Sequence, residues 1–123
     1  IDQDFDIVKL AEAAGATYVA RGTAYHVDKT VHVIEQAIMN KGFSVVDCIS
    51  ICTTYFGRKN KRGSEVEMLK WQKENAIDFE RAKEKSPDEL QGKLIIGETY
   101  HSVRPEYTEQ YEKIIQRCRE ARQ

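Results

Sequence analysis

FDIVKLAEAAGATYVARGTAYHVDKTVHVIEQAIMNKGFSVVDCISI, residues 5–51, is the stretch whose reading decides the fold. In its first part Ile7, Val8, Leu10, Ala11 and Ala14 recur at a helical period, and Gly15 supplies the stop. ATYVARG (16–22) is short, rich in β-formers and closed by Gly22, so it reads as a strand. A helix follows to about Lys41, with Asp28 as its N-cap, Gly42 as its stop, and Val31, Ile34, Ala37 and Ile38 on one stripe. FSVVDCISI (43–51) is almost continuously apolar, the pattern of a strand buried on both faces. Helix, strand, helix, strand with short glycine-marked joints predicts an α/β class fold, three layers with a parallel sheet between helices.

Outward from that core the pattern loosens. Thr53 to Gly63 is a loop carrying GRKNKRG (57–63). Ser64 and Glu67 form a capping-box pair, and the helix they open carries Val66, Leu69 and Trp71. A more charged helical stretch covers about Asp78 to Glu84, and Ser86-Pro87 opens a turn or two that Gly92 ends. KLIIGETY (93–100) reads as a short edge strand because Gly97 interrupts it. Pro105 opens a last helix to about Arg122, with Tyr107, Tyr111, Ile114, Ile115 and Cys118 along one side. Residues 1–63 are thus an α/β core with a basic loop. Residues 64–123 are a helical extension with one short strand, and the two make a single domain piece.

Composition narrows the function classes. The 123 residues suffice for one hydrophobic core. Nineteen basic against twenty acidic side chains give a net charge of −1, which argues against general nucleic-acid binding. No apolar run approaches the roughly 20 residues that span a bilayer. The chain opens on Ile1 rather than Met, without a signal-peptide pattern, which suggests processing or a piece of a longer protein. Three cysteines, Cys48, Cys52 and Cys118, are an odd number that fits no disulfide framework. Reduced, buried thiols are expected for at least two of them, in a cytoplasmic protein.

Phosphate loops, nucleophile elbows, zinc-spaced Cys/His pairs and acidic calcium loops are all missing from the sequence. Cys48 and Cys52 on one extended strand would stand about 13 Å apart, too far to share one zinc ion. Cys48 is therefore read as core. Cys52 falls where the strand ends, and ligands of parallel α/β sheets gather beyond the carboxyl ends of strands. His26, His32 and His101 read as surface polar or capping groups. Arg58, Lys59, Lys61 and Arg62 form either a solvated loop or a docking site for a phosphate or an acidic protein.

GATYVARGTAYHV (15–27), KGFSVVDCISICTTYFGRKN (41–60) and GSEVEMLKWQKEN (63–75) resemble the β subunit of 2-oxoacid:ferredoxin oxidoreductases, most nearly the 2-oxoglutarate type. EKSPDELQGKLIIGETYHSVRPEYTEQYEKI (84–114) resembles the same family's carboxy-terminal tail. The resemblance implies the carboxy-terminal part of a thiamin-diphosphate-binding fold. It implies an α subunit as partner, and oxidative decarboxylation of a 2-oxoacid with coenzyme A. Electrons would leave through a 4Fe-4S cluster to ferredoxin or flavodoxin. The family's Gly-Asp-Gly…Asn segment for diphosphate and Mg, and its Cys-x-x-Cys pair, do not occur in these residues. Catalytic and cofactor-binding residues are accordingly expected outside this piece, and the isolated piece is expected to be inactive, without bound cofactor and open to self-association. One residue carries over. Ser50-Ile51-Cys52 is similar to the family's Ser-Pro-Cys, which makes Cys52 one ligand of the cluster, with Ile51 replacing the proline. The alternative reading is a non-catalytic α/β interaction domain that docks an acidic protein through the basic loop.

Overall fold

The computed structural model describes residues 5–121, so the Ile1 start lies outside the described residues. Asp6 accepts from the Val8 N–H and caps α1 (Ile7–Ala13), and Gly15, at φ +97°, turns the chain into β1 (Tyr18–Thr23). Next come α2 (Val27–Met39) and β2 (Ser44–Ile49), then a single π-helical turn, Thr53–Gly57. A complete Ser64–Glu67 capping box opens α3 (Glu65–Asn75). It runs into β3 (Ala76–Asp78) and α4 (Phe79–Ala82). A second capping box, Ser86–Glu89, opens α5 (Pro87–Leu90), and β4 (Leu94–His101) and α6 (Tyr107–Glu120) complete the described chain.

The four strands form one sheet in the order β2-β1-β4-β3. β1 and β2 run parallel and in register from Tyr18 opposite Ser44 to Thr23 opposite Ile49. The α/β class holds, but the sheet is mixed, because β4 lies antiparallel to β1 and parallel to β3. KLIIGETY is therefore an interior strand and not an edge. Gly97 takes φ +105°, and one residue on, the register shifts: Val19 faces Tyr100 but Ala20 faces Glu98. Thr99 is the extra residue of this bulge, and its hydroxyl donates to the Val19 carbonyl at 3.0 Å.

α1 and α2 cover opposite faces of the sheet. Val8, Ala11, Ala16 and Val19 pack with Val45 and Tyr100 on one side. Tyr18, Ala20 and Val33 pack with Ala37 and Val46 on the other.

Several expectations need correction. Asp28 sits inside the first turn of α2, and His26 holds the N-cap position, its ring bonded to the Thr23 hydroxyl at 2.8 Å. Of the α2 stripe only Ala37 meets the core. Val31, Ile34 and Ile38 face outward, Ile38 75% exposed, because Val33 is the residue that points at β1. β2 is only half-buried: it lies at the edge of the described sheet, with β1 on one side alone. For the same reason Cys48 is exposed instead of core, and Cys52 and Cys118 are exposed too. On α3 the inward residues are Met68 and Gln72, not Val66. The charged helix narrows to α4, since Ala76–Asp78 pairs with β4 as a strand. Tyr107, Tyr111 and Ile114 of α6 are exposed, with the two tyrosine rings stacked at 6.0 Å.

Candidate functional site around Cys52

β2 ends at Ile49, and Ser50, Ile51 and Cys52 carry the chain past the carboxyl ends of β1 and β2 into the π turn. Cys52 is the N-cap of that turn: its sulfur accepts from the Tyr55 N–H at 3.4 Å, and its carbonyl accepts from the Gly57 N–H at 2.7 Å. Backbone N–H groups, Phe56 first and Tyr55 and Thr54 after it, lower the Cys52 thiol below the ordinary cysteine value. An exposed sulfur amid convergent N–H donors favours thiolate, the form that ligates metals.

Gly57 is buried against α3, where a Cβ would stand 3.1 Å from Met68 Cε and 3.2 Å from the Cys52 carbonyl oxygen. Any side chain there would have to displace Met68 or the Cys52 carbonyl by a few tenths of an ångström. One helical turn beyond Met68, Gln72 is 3% exposed and uses both ends of its amide. Its Nε2 donates to the Ile49 carbonyl at 3.1 Å, and its Oε1 accepts from the Tyr25 N–H at 3.0 Å. Sequence reasoning missed Gln72, because a glutamine in a charged helix carries no signal of burial.

Cys52 lies on the wall of a cavity of about 700 Å³ between the strand end and α3, shared with Phe56, Arg62, Met68, Trp71 and Leu94. Lys61, Arg62 and Gly63 bring the end of the basic loop to its wall. Arg62 stands over the rings of Phe56 and Trp71, at 5.6 and 5.5 Å, and Lys59 stands 5.0 Å from the Tyr55 ring. Lys61 also lines the cavity, at a positive φ of 52°, while Arg58 caps the π turn. Cys52 and the four cations thus lie along one short segment, with two of the cations on aromatic faces.

Among the described residues no three His, Cys, Asp or Glu side chains gather closely enough to hold a metal ion. Cys52 suits an iron–sulfur cluster as a single thiolate donor and nothing more. Neither is any helix among them long and apolar enough to cross a membrane.

The family described as the C-terminal TPP binding domain of thiamine pyrophosphate enzymes matches residues 1–48. The 2-oxoglutarate synthase subunit KorB of Methanothermobacter marburgensis is 47% identical over 106 residues, 86% of this chain and 37% of the relative. The subunit of the same name from Methanocaldococcus jannaschii is 40% identical over 119 residues, 97% of this chain and 44% of the relative. The β subunit of a 2-oxoacid:ferredoxin oxidoreductase from Saccharolobus solfataricus is 30% identical over 96 residues, 78% of this chain and 32% of the relative. The chain therefore spans less than half the length of these relatives. In fold it is similar to the 2-oxoglutarate:ferredoxin oxidoreductase of Magnetococcus marinus, a structure with 2-oxoglutarate, coenzyme A and succinyl-CoA bound. The TM-score is 0.71 at 18% identity, covering 95% of this chain and 40% of that one.

Proposed function

We propose, from the homology of this chain to the β subunits of 2-oxoacid:ferredoxin oxidoreductases, that it is the carboxy-terminal part of such a catalytic subunit. The whole complex, with an α subunit, would oxidatively decarboxylate a 2-oxoacid, 2-oxoglutarate by its nearest likeness, to the acyl-CoA in the cytoplasm. Thiamin diphosphate with Mg, held by residues beyond this chain, would supply the carbanion chemistry. What these residues supply is narrower: part of the sheet, one cluster ligand and a surface for the electron acceptor.

The observation that carries the proposal is the setting of Cys52. Its exposed sulfur lies three residues past the end of β2 and accepts from the Tyr55 N–H, and the likeness of Ser50-Ile51-Cys52 to the family's Ser-Pro-Cys supports reading it as the cluster cysteine. Cys52 would hold one iron of a 4Fe-4S cluster, whose service is to take electrons singly and pass them on. Arg58, Lys59, Lys61 and Arg62, on the same loop, would draw an acidic ferredoxin or flavodoxin toward that exit.

Replacing Cys52 with Ser in the full-length subunit, expressed with its partner, tests this. The expected result is loss or alteration of the brown visible absorbance together with slower ferredoxin reduction. Unchanged absorbance and unchanged reduction would overturn the ligand assignment. The isolated 123-residue chain with thiamin diphosphate, coenzyme A and 2-oxoglutarate is expected to show no turnover.

A further inference from the structure

We propose that Gln72 is a positioning residue for Cys52, holding the end of β2 against α3 so that the sulfur emerges at a fixed place on the cavity wall. The inference rests on the reading of Cys52 as a cluster ligand, and adds the element that aims it. The chain around Cys52 has no regular partner of its own: β2 has ended, and the π turn that follows is one turn long. Two contacts from a single face of α3 bracket it. Ahead of Cys52, the Gln72 amide ties the last carbonyl of β2, at Ile49, to the N–H of Tyr25 in the β1–α2 connection. Behind it, Met68 lies against Gly57, whose N–H returns to the Cys52 carbonyl. Met68 and Gln72 are four residues apart, so one helical face reaches both sides of the cysteine.

The chemistry of the side chain fits this service. A buried primary amide offers a donor and an acceptor at once, and here it reinforces two segments otherwise joined by the main-chain bond from the Ala24 N–H to the Ile49 carbonyl at 2.9 Å. A hydrocarbon of the same length fills the space but leaves the Ile49 carbonyl and the Tyr25 N–H without that partner. A thiolate that must meet a rigid cluster has little tolerance for a mobile strand end.

Gln72→Met keeps length and volume while removing both hydrogen bonds. Hydrogen exchange on the full-length subunit expressed with its partner, followed by residue-resolved mass spectrometry, is compared with Val33→Ala, a core truncation on α2. In Gln72→Met the Gly57 amide, which Gln72 does not touch, is expected to exchange about tenfold faster, while amides in the middle of β1 keep their rates. Val33→Ala should not reproduce that local pattern. Equal acceleration everywhere, or no change at Gly57, overturns the proposal. If Gln72→Met fails to fold, Gln72→Glu serves instead. It keeps the acceptor for Tyr25 but sets a carboxylate oxygen against the Ile49 carbonyl, and must loosen Gly57 in the same way.

The second readout is the electron paramagnetic resonance spectrum of the reduced, intact subunit. Gln72→Met should alter the cluster signal and Val33→Ala should leave it alone; an identical signal in Gln72→Met counts against the proposal. The two readings fail separately. An unchanged brown colour in Cys52→Ser removes the cluster ligand, whereas the exchange at Gly57 reports the clamp whether or not iron is present.

Discussion

Arg21 Nε donates to Asp47 Oδ2 at 2.8 Å, between residues that stand directly opposite each other on β1 and β2. The second arm of the same guanidinium reaches Asp6 Oδ1 at 3.0 Å, the oxygen that also caps α1. One half-buried cation therefore fastens a helix start to two strands, and its forked geometry is what lets it serve both carboxylates. Arg21→Lys loses one arm and Arg21→Leu loses both. Urea unfolding of the full-length subunit should show a loss of about 1 kcal/mol for the first and about 2–3 kcal/mol for the second. Equal stability of Arg21→Leu and the parent would refute the role.

Acid should loosen the helix starts. Glu67 and Glu89 lie below the ordinary carboxylate range, each chiefly because a serine backbone N–H, of Ser64 and Ser86, donates to it. A carboxylate depressed in the folded chain contributes stability above its unfolded value, about 4.3, and that contribution is lost as pH falls through the folded value. Helical circular dichroism should hold down to that range and then decline. In Glu67→Gln with Glu89→Gln the acid decline should be shallower, and an unchanged slope would contradict the assignment.

Alkali acts on Tyr18. Burial first, and the Glu98 carboxylate after it, push the phenol up to about 12. Its contribution is full below the unfolded value of about 10 and is lost as pH rises toward 12. Tyr18→Phe should flatten the alkaline limb of the stability curve, and a limb of the same steepness would count against it.

For the basic loop the measurement is ionic strength. Replacing Arg58, Lys59 and Lys61 with Gln, while keeping Arg62 over Phe56 and Trp71, should slow acceptor reduction several-fold at low salt. The defect should shrink as salt is added. A defect indifferent to salt would leave the loop as a solvated surface.

The outward stripe of α2 should make the isolated chain associate. Val31, Ile34 and Ile38 lie on that helix, exposed to different degrees, with Met39 and Phe43 open beside them. Sedimentation velocity of the 123-residue chain is expected to show concentration-dependent self-association, which Ile34→Lys with Ile38→Glu reduces. Identical profiles would show that the stripe is not the contact.

The signals that could be read in the sequence were local ones. Capping residues, glycine stops and short β-rich runs locate α1, β1, α2, β2, the Ser64–Glu67 capping box and the helix start at Ser86-Pro87 within a few residues of where they stand. What could not be read depends on partners distant along the chain. Gly97 reads as the mark of an edge, yet β4 is flanked by β1, more than seventy residues upstream, and by the short β3, and neither announces the pairing. Three-residue β3 is too short to carry a period. An almost continuously apolar run makes Cys48 look enclosed, but β2 has only one neighbour strand in the described sheet. Cys52 was legible as a strand-end thiol. Gln72 was not, since its place is fixed by two main-chain groups that no side-chain pattern records.

Thr99 gives β4 a phase. Up to Glu98 alternate residues face one way, and after the inserted threonine the alternation restarts, which brings Tyr100 to the α1 side beside Val19 and sets His101 opposite Tyr18. Were the bulge closed with Thr99 kept in the ladder opposite Val19, the slip would act in space as a frameshift does in a message. Everything from Tyr100 onward would exchange sides, and the chain leading into α6 would leave the sheet from the opposite face.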